Sequence, residues 1–215
     1  MRDIMLGALR ASLVTWVLCG LAYPLALTGL AQWLLPWQAN GSMQTDQSGT
    51  ITGSRLIGQA WAGPEWFHGR PSATTDVDPQ DPAGTVPAPY NAASSGASNL
   101  GPTSRRLFER ILAERALLER DQPELANTSL PADMLTSSAS GLDPDISPAN
   151  AALQAARVAR ARGVDRAEID ALVGRHVTER TLGIFGEPRV NVLDLNMALD
   201  RLYHSRRSLA DRARE

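Results

Sequence analysis

The residues able to do chemistry in this 215-residue chain are few and scattered. Its three histidines, His68, His176 and His204, form no HxH or HxxxH pair. A zinc site would have to draw ligands from distant segments, and His176 is better explained by a favourable helix dipole. Asp76, Asp78 and Asp81 make an oxygen-rich run, but without the glycine and distal bidentate glutamate of an EF-hand. A solvated acidic loop is expected there. Ser137, Ser138 and Ser140 have no GxSxG elbow around them and are expected to form turns and caps. The single cysteine, Cys19, lies in an apolar stretch, and the chain contains no lysine. These two facts exclude a GxxxxGK[ST] phosphate loop and Schiff-base chemistry, and beyond that stretch any disulfide or cysteine nucleophile. We assign no catalytic residue and no metal ligands.

One tract carries ambiguous chemistry. In Gly53-Ser54-Arg55-Leu56-Ile57-Gly58-Gln59, backbone N–H groups beside the glycines could cradle a phosphate, and Gln59 could hydrogen-bond a nucleotide. Phosphate cradles usually open a helix, which this segment does not. A glycine-flanked strand in a tight core is the favoured reading of the residues themselves.

The elements that must position these groups begin with a membrane signal. Ala11 to Thr45 carries no charged residue. As a helix at ~1.5 Å per residue, residues 11–35 reach ~37 Å, more than the ~30 Å hydrocarbon core of a bilayer. A cleaved signal peptide competes with this reading, but its apolar region is only roughly 7–15 residues. Trp16, Trp33 and Trp37 suit two interfacial belts. A permanent transmembrane helix is therefore expected. Arg2 and Arg10 precede it and the next arginine is Arg55, which predicts a cytoplasmic amino terminus at residues 1–10 and an external remainder. Pro24 cannot donate to the Gly20 carbonyl, so a kink is expected there. Gly20, Pro24, Thr28 and Gly29 offer a small-residue face for a neighbouring helix, and are the candidate subunit-interface residues.

Beyond the span the expected fold class is α+β: a juxtamembrane linker over 36–50, a single mixed domain over 51–203, and a polar tail over 204–215 that frays. From Asp46 onward there are 19 arginines against 22 acidic residues, which argues against nucleic acid as a partner. Residues 36–102 read as short strands and ordered loops, with 76–89 the most mobile loop. Four helices are expected. The first, from Ser104 to Arg120, has Leu107, Phe108, Ile111, Leu112 and Leu118 as its apolar face. The second is opened by Ser147 and Pro148 and closed by Gly163. Asp165 and Glu168 open the third as a capping box. Asn191 caps the fourth, which carries Val192, Leu195, Leu199 and Leu202.

Several tracts go further than physics alone. Gln38-Ala39-Asn40-Gly41-Ser42 is followed by Leu56-Ile57-Gly58-Gln59 and by Trp66-Phe67-His68-Gly69-Arg70-Pro71-Ser72-Ala73. Tyr90-Asn91 precedes Gly96-Ala97-Ser98-Asn99-Leu100-Gly101-Pro102. Ser137 to Pro144 leads into Ile146-Ser147-Pro148, and Gly186 to Asn196 comes last. In this order, behind one amino-terminal span, they closely resemble the C subunit of the bacterial Kdp potassium-transporting P-type ATPase. Ala97, where the family commonly has glycine, and the loosely matching 177–184 are the departures.

The resemblance implies a non-catalytic accessory subunit in the bacterial inner membrane, single-pass, with its carboxy-terminal domain periplasmic. Its implied partners are a channel-like potassium-selective subunit, a P-type ATPase subunit, a very small accessory subunit and membrane lipid. Two roles follow for such a subunit. One is a catalytic chaperone that raises the ATP affinity of the ATPase subunit, with Ser54, Gly58 and Gln59 as nucleotide-binding candidates and ATP as the only implied ligand. The other is assembly over the mouth of the potassium-selective subunit, which the expected orientation favours, with the loops of 53–102 meeting its outer face. A signal-anchored extracytoplasmic hydrolase and a nucleotide-binding regulator are the alternative classes.

Overall fold

The structure is a computed structural model that describes residues 1–46 and 48–212, with side chains through Tyr203. It divides into two compact units, Met1–Ser54 and Arg55–Glu215.

The first unit is led by one continuous helical run. α1 (Arg2–Val17) passes through a π-helical turn at Leu18–Ala22 into α2 (Tyr23–Leu34). At Pro24, where a kink was expected, the helix carries a widened turn just before the proline, a common way to absorb a missing i→i−4 donor. Arg2–Leu34 is long and apolar enough to cross a bilayer, with none of its most apolar window buried. A short helix α3 (Pro36–Ala39) follows. Strands β1 (Met43–Thr45) and β2 (Ile51–Ser54) then pair antiparallel as a hairpin. Residues 36–50, expected as a linker, therefore carry regular structure. Trp37 donates its indole N–H to the Met43 carbonyl at 2.9 Å, so this ring's polar handle is used within the unit.

In the second unit, β3 (Thr75–Val77) and β4 (Thr85–Pro87) form a hairpin where a mobile loop was expected. Its turn is closed by Asp78 N–H to Gly84 O at 3.1 Å, and Asp78 and Asp81 each accept from a nearby backbone N–H. α4 (Arg105–Asp121) comes next, then a 3-10 turn at Pro123–Leu125 and α5 (Ala132–Leu135). The core is built from β5 (Asp145–Ile146), α6 (Pro148–Arg162), α7 (Arg166–His176), β6 (Val177–Thr178), β7 (Arg189–Asn191) and α8 (Val192–Arg212). The three strands make an antiparallel sheet with β7 in the centre.

Three of the expected helices start at the capping residues their sequences offer, α7 with a cap from Asp165 to the second helical N–H where a capping box with Glu168 was expected. Ser147 Oγ accepts the Asn150 N–H, Asp165 accepts the Ala167 N–H, and Asn191 Oδ1 accepts the Asp194 N–H. Each satisfies a backbone donor that the first turn leaves open. α6 ends at Gly163 in the left-handed conformation (φ 63°), where glycine bears no Cβ penalty. α8 continues to Arg212, past the start of the expected polar tail; residues 213–215 of that tail lie outside the described residues. Ala151, Ala155, Val158, Ile169, Leu172, Val190, Leu195 and Leu199 close the core together with Phe67 and Ile146. The small alanines on α6 let its backbone approach its neighbours closely.

α4 differs from its expected orientation. Leu107, Arg110, Ile111, Glu114, Arg115 and Leu118 form its half-buried edge, while Phe108 is 62 % and Leu112 50 % exposed. The helix is rotated so that Arg110 and Glu114 face inward with the aliphatic residues.

Candidate functional site

The polar centre of the second unit is organised around a segment with no regular structure. Residues 55–74 run from the first turn to β3 without strand or helix. Their buried backbone groups must nevertheless find partners, and the partners are side chains. Asn196 on α8 accepts the Phe67 N–H through Oδ1 and donates Nδ2 to the Phe67 carbonyl, both at 2.9 Å. Gln154 on α6 does the same for His68, at 2.8 and 2.9 Å. Two amide side chains thus imitate a neighbouring strand.

Arg157, one turn further along α6, is 6 % exposed. Its Nη1 donates to the carbonyls of Pro64 at 2.7 Å and Trp66 at 3.0 Å, and its Nη2 to Gln154 Oε1 at 2.7 Å. All these acceptors are neutral, and burial lowers the guanidinium's affinity for its proton. Arg162 donates Nε to the Glu65 carbonyl at 2.8 Å and stacks over Trp66 at 4.4 Å, with Trp61 against Trp66 at 5.0 Å.

The sequence tract Gly53–Gln59 is divided between the two units. Ser54 ends β2 and donates its hydroxyl to the Gly41 carbonyl at 2.7 Å. Gly58 and Gln59 belong to the second unit. Gly58 donates its N–H to the Leu142 carbonyl at 2.8 Å, and a Cβ placed on it would sit 2.5 Å from Tyr90 Cε1 and 2.6 Å from the Asp143 carbonyl oxygen. The Tyr90 ring lies between Gly58 and Gly69, and its hydroxyl donates to the Arg70 carbonyl at 2.6 Å. Burial, then the charge of Asp143, pushes this phenol up to about 12. Asp143 accepts a hydrogen bond from Arg70 at 3.0 Å.

Two cavities open beside this clamp. The inner one, about 130 Å³, is lined among others by His68, Arg70, Glu114, Gln122, Gln154 and Arg157. The outer one, about 350 Å³, has Gln59, Trp61, Tyr90 and Arg110 in its wall and shares His68, Arg70 and Glu114 with the first. Burial, then the charge of Arg157, lowers the His68 pKa. Burial raises the Glu114 pKa, opposed by the charge of Arg110.

Sequence reasoning named Gln59 and Gly58 here but not Glu114, Gln122, Gln154 or Arg157. The available signal was the inward spacing of Asn150, Gln154 and Arg157 on α6, beside Ala151, Ala155 and Val158. Polar residues on the buried stripe of a helix mark a network rather than a wet face. Among the described residues, no group of three or more His, Cys, Asp or Glu side chains is arranged to hold a metal ion. His176 Nδ1 lies 2.9 Å from the Leu172 carbonyl.

The interface candidates of the first unit are all exposed. A Cβ on Gly29 would meet nothing within 4 Å, and one on Gly20 only the Trp16 indole, at 3.8 Å. Pro24 stands in the first turn of α2, just past the π turn.

Comparison with known proteins accounts for nearly the whole chain. The family described as KdpC, K+-transporting ATPase, c chain, matches residues 5–201. The chain belongs to the KdpC family. KdpC relatives carry the name potassium-transporting ATPase KdpC subunit. That of Methylobacterium nodulans is 54% identical over 202 residues, covering 92% of this chain and 98% of its own. That of Rhodopseudomonas palustris is 53% identical over 193 residues, covering 90% and 94%. That of Bradyrhizobium diazoefficiens is 52% identical over 189 residues, covering 88% and 92%. The KdpC match takes in the apolar helix, the side-chain clamp and both cavities.

Proposed function

We propose that this chain is the non-catalytic accessory subunit of a potassium-transporting P-type ATPase, anchored in the bacterial inner membrane by the helix at Arg2–Leu34. The observation that carries the reading is the family match over residues 5–201, which joins that helix to the second unit in one chain. Arg2 and Arg10 in the amino-terminal part of that helix, against no arginine or lysine from 11 to 54, support a cytoplasmic amino terminus and a periplasmic second unit.

The partners are a channel-like potassium-selective subunit, the ATPase subunit and a small accessory subunit. Gly20, Pro24, Thr28 and Gly29 form the helix face that packs on a neighbouring span, where small residues allow close approach. On the second unit, Leu182, Ile184 and Phe185 are 83 %, 72 % and 63 % exposed on a tight turn, braced at its base by an Arg180–Glu187 ion pair. Phe108 and Leu112 stand exposed on α4. Such apolar surface suits a subunit that works in an assembly. Its role is assembly, with an effect on potassium access. Any influence on ATP affinity is then a coupling free energy between separate sites.

Co-purification from native membranes tests the reading. The wild-type chain brings down the other subunits, and Gly20→Leu or Gly29→Leu lowers its recovery. Undiminished recovery of both variants counts against helix packing, and a reporter fused after Glu215 that is active in the cytoplasm overturns the orientation. A second reading, direct nucleotide contact, is favoured by Gln59 in the outer cavity wall. ATP binding by the full chain, abolished in Gln59→Ala, would establish it.

A further inference from the structure

We propose that the inner cavity is a binding site for a small protonated oxyanion of the hydrogenphosphate or hydrogencarbonate class. The argument starts from charge. The Arg157 guanidinium is 6 % exposed, and it donates to carbonyl oxygens of the backbone and of Gln154. Asp121, Glu65 and Glu124 act on it only through space. Water can satisfy the hydrogen bonds of a buried cation, whereas an anion in contact with it adds to the charge compensation these carboxylates give from a distance. Glu114, in the same wall, answers to Arg110 instead, and Arg70 is already paired with Asp143.

Hydrogen-bonding capacity then narrows the class. Among the described residues, Arg157 Nε, Arg70 Nε and Gln122 Oε1 are buried without a partner, and all three residues line the cavity. Gln122 is 3 % exposed. Two of these atoms are donors and one is an acceptor. A ligand that satisfies them must accept from the arginines and donate to Gln122. Hydrogenphosphate and hydrogencarbonate do both with adjacent oxygens. Chloride and sulfate can only accept. A volume of about 130 Å³ holds about four waters at ~30 Å³ each, or one such oxyanion with little to spare. The outer cavity, which shares His68, Arg70 and Glu114, is the way in.

The proposal is independent of which subunits the chain assembles with, and its test uses the full chain in detergent. Inorganic phosphate is titrated by calorimetry at pH 7 and constant ionic strength, with sulfate and chloride as comparators. Saturable phosphate binding is expected, with sulfate at least about tenfold weaker, because a site built to accept a ligand O–H rejects the analogue lacking it. Gln122→Leu should weaken phosphate about tenfold and close the gap to sulfate. Glu114→Gln should tighten phosphate several-fold by removing a like charge from the wall. This variant also guards against a mere folding defect, since a damaged protein does not bind more tightly. Hydrogencarbonate binding tighter than phosphate supports the same chemistry and names the smaller anion. ATP binding tighter than phosphate, and weakened by Gln59→Ala, overturns it in favour of direct nucleotide contact. No saturable heat, equal responses to phosphate, sulfate and chloride, or unchanged discrimination in Gln122→Leu overturns the proposal and leaves the cavity to water.

Discussion

Gly58 decides between two meanings of one tract, and Gly58→Ala separates them. If the glycine exists for packing, its replacement costs stability with or without ligand. The added Cβ would lie 2.5 Å from Tyr90 Cε1 and 2.6 Å from the Asp143 carbonyl oxygen, against about 3.5–4.0 Å for unstrained carbon contacts. An overlap of about 1 Å must be absorbed. Tyr90 cannot swing away, because Gly69 lies on its other side and its hydroxyl is tied to Arg70. Asp143 is held by Arg70. Overpacking of this kind costs about 1–3 kcal/mol. The Gly58 N–H to Leu142 bond, stretched by the shift, adds about 1 kcal/mol. A total of about 2–4 kcal/mol corresponds to a fall in melting temperature of roughly 4–16 °C for a protein of this size. Thermal unfolding of the purified full chain by near-UV circular dichroism reads it, since Tyr90, Trp61 and Trp66 all lie around the site. Gly29→Ala, with nothing within 4 Å of its Cβ, serves as a control that leaves the midpoint unchanged. A Gly58→Ala midpoint within about 1 °C of wild type would refute the packing argument. If it came with loss of an ATP response, the glycine would be there for ligand approach.

Three further outcomes follow from the same geometry. Asn196→Leu leaves the buried Phe67 N–H and carbonyl unpaired and should destabilise by about 2–5 kcal/mol, measured by denaturant midpoint; a change below about 1 kcal/mol would mean the clamp is dispensable. Glu114 has a folded-state pKa raised by burial. The stability this group contributes is full below its unfolded pKa and lost as pH rises through the folded one. Glu114→Gln should therefore raise the melting temperature at pH 7 and make no difference below the ordinary glutamate range; equal effects at both pH values would contradict the shift. Leu182→Ser with Phe185→Ser touches an exposed turn and should leave the melting temperature of the isolated chain within about 2 °C while lowering its recovery in the assembled complex; unchanged recovery would remove this turn from the interface.

The residues that the chain's own pattern made legible are those whose partners are local. Ser147, Pro148 and Gly163 bracket α6, and Asp165 and Asn191 open α7 and α8, because capping bonds reach only two or three positions. The apolar run ending near Leu35 announced itself by composition alone. The ordered tracts from Gln38 to Asn196 were enough to place the chain in its family. What they could not reveal was the direction α4 faces: Phe108 and Leu112 repeat at helical spacing just as Leu107 and Ile111 do, and only packing against the rest of the second unit selects one edge.

The clamp and the cavities belong wholly to the tertiary structure. Phe67 meets Asn196 across 129 positions of chain, His68 meets Gln154 across 86, and Arg157 meets Pro64 across 93. An amide or a guanidinium carries no mark of such a partner, because the same side chain on a wet face would read identically. Sequence by itself established a membrane-suited helix, an α+β remainder and a family. Folding alone determined that an irregular loop is held by the polar residues of two helices, and that the space left beside it is lined with unmatched hydrogen-bonding groups, since burial is what makes those groups demand partners.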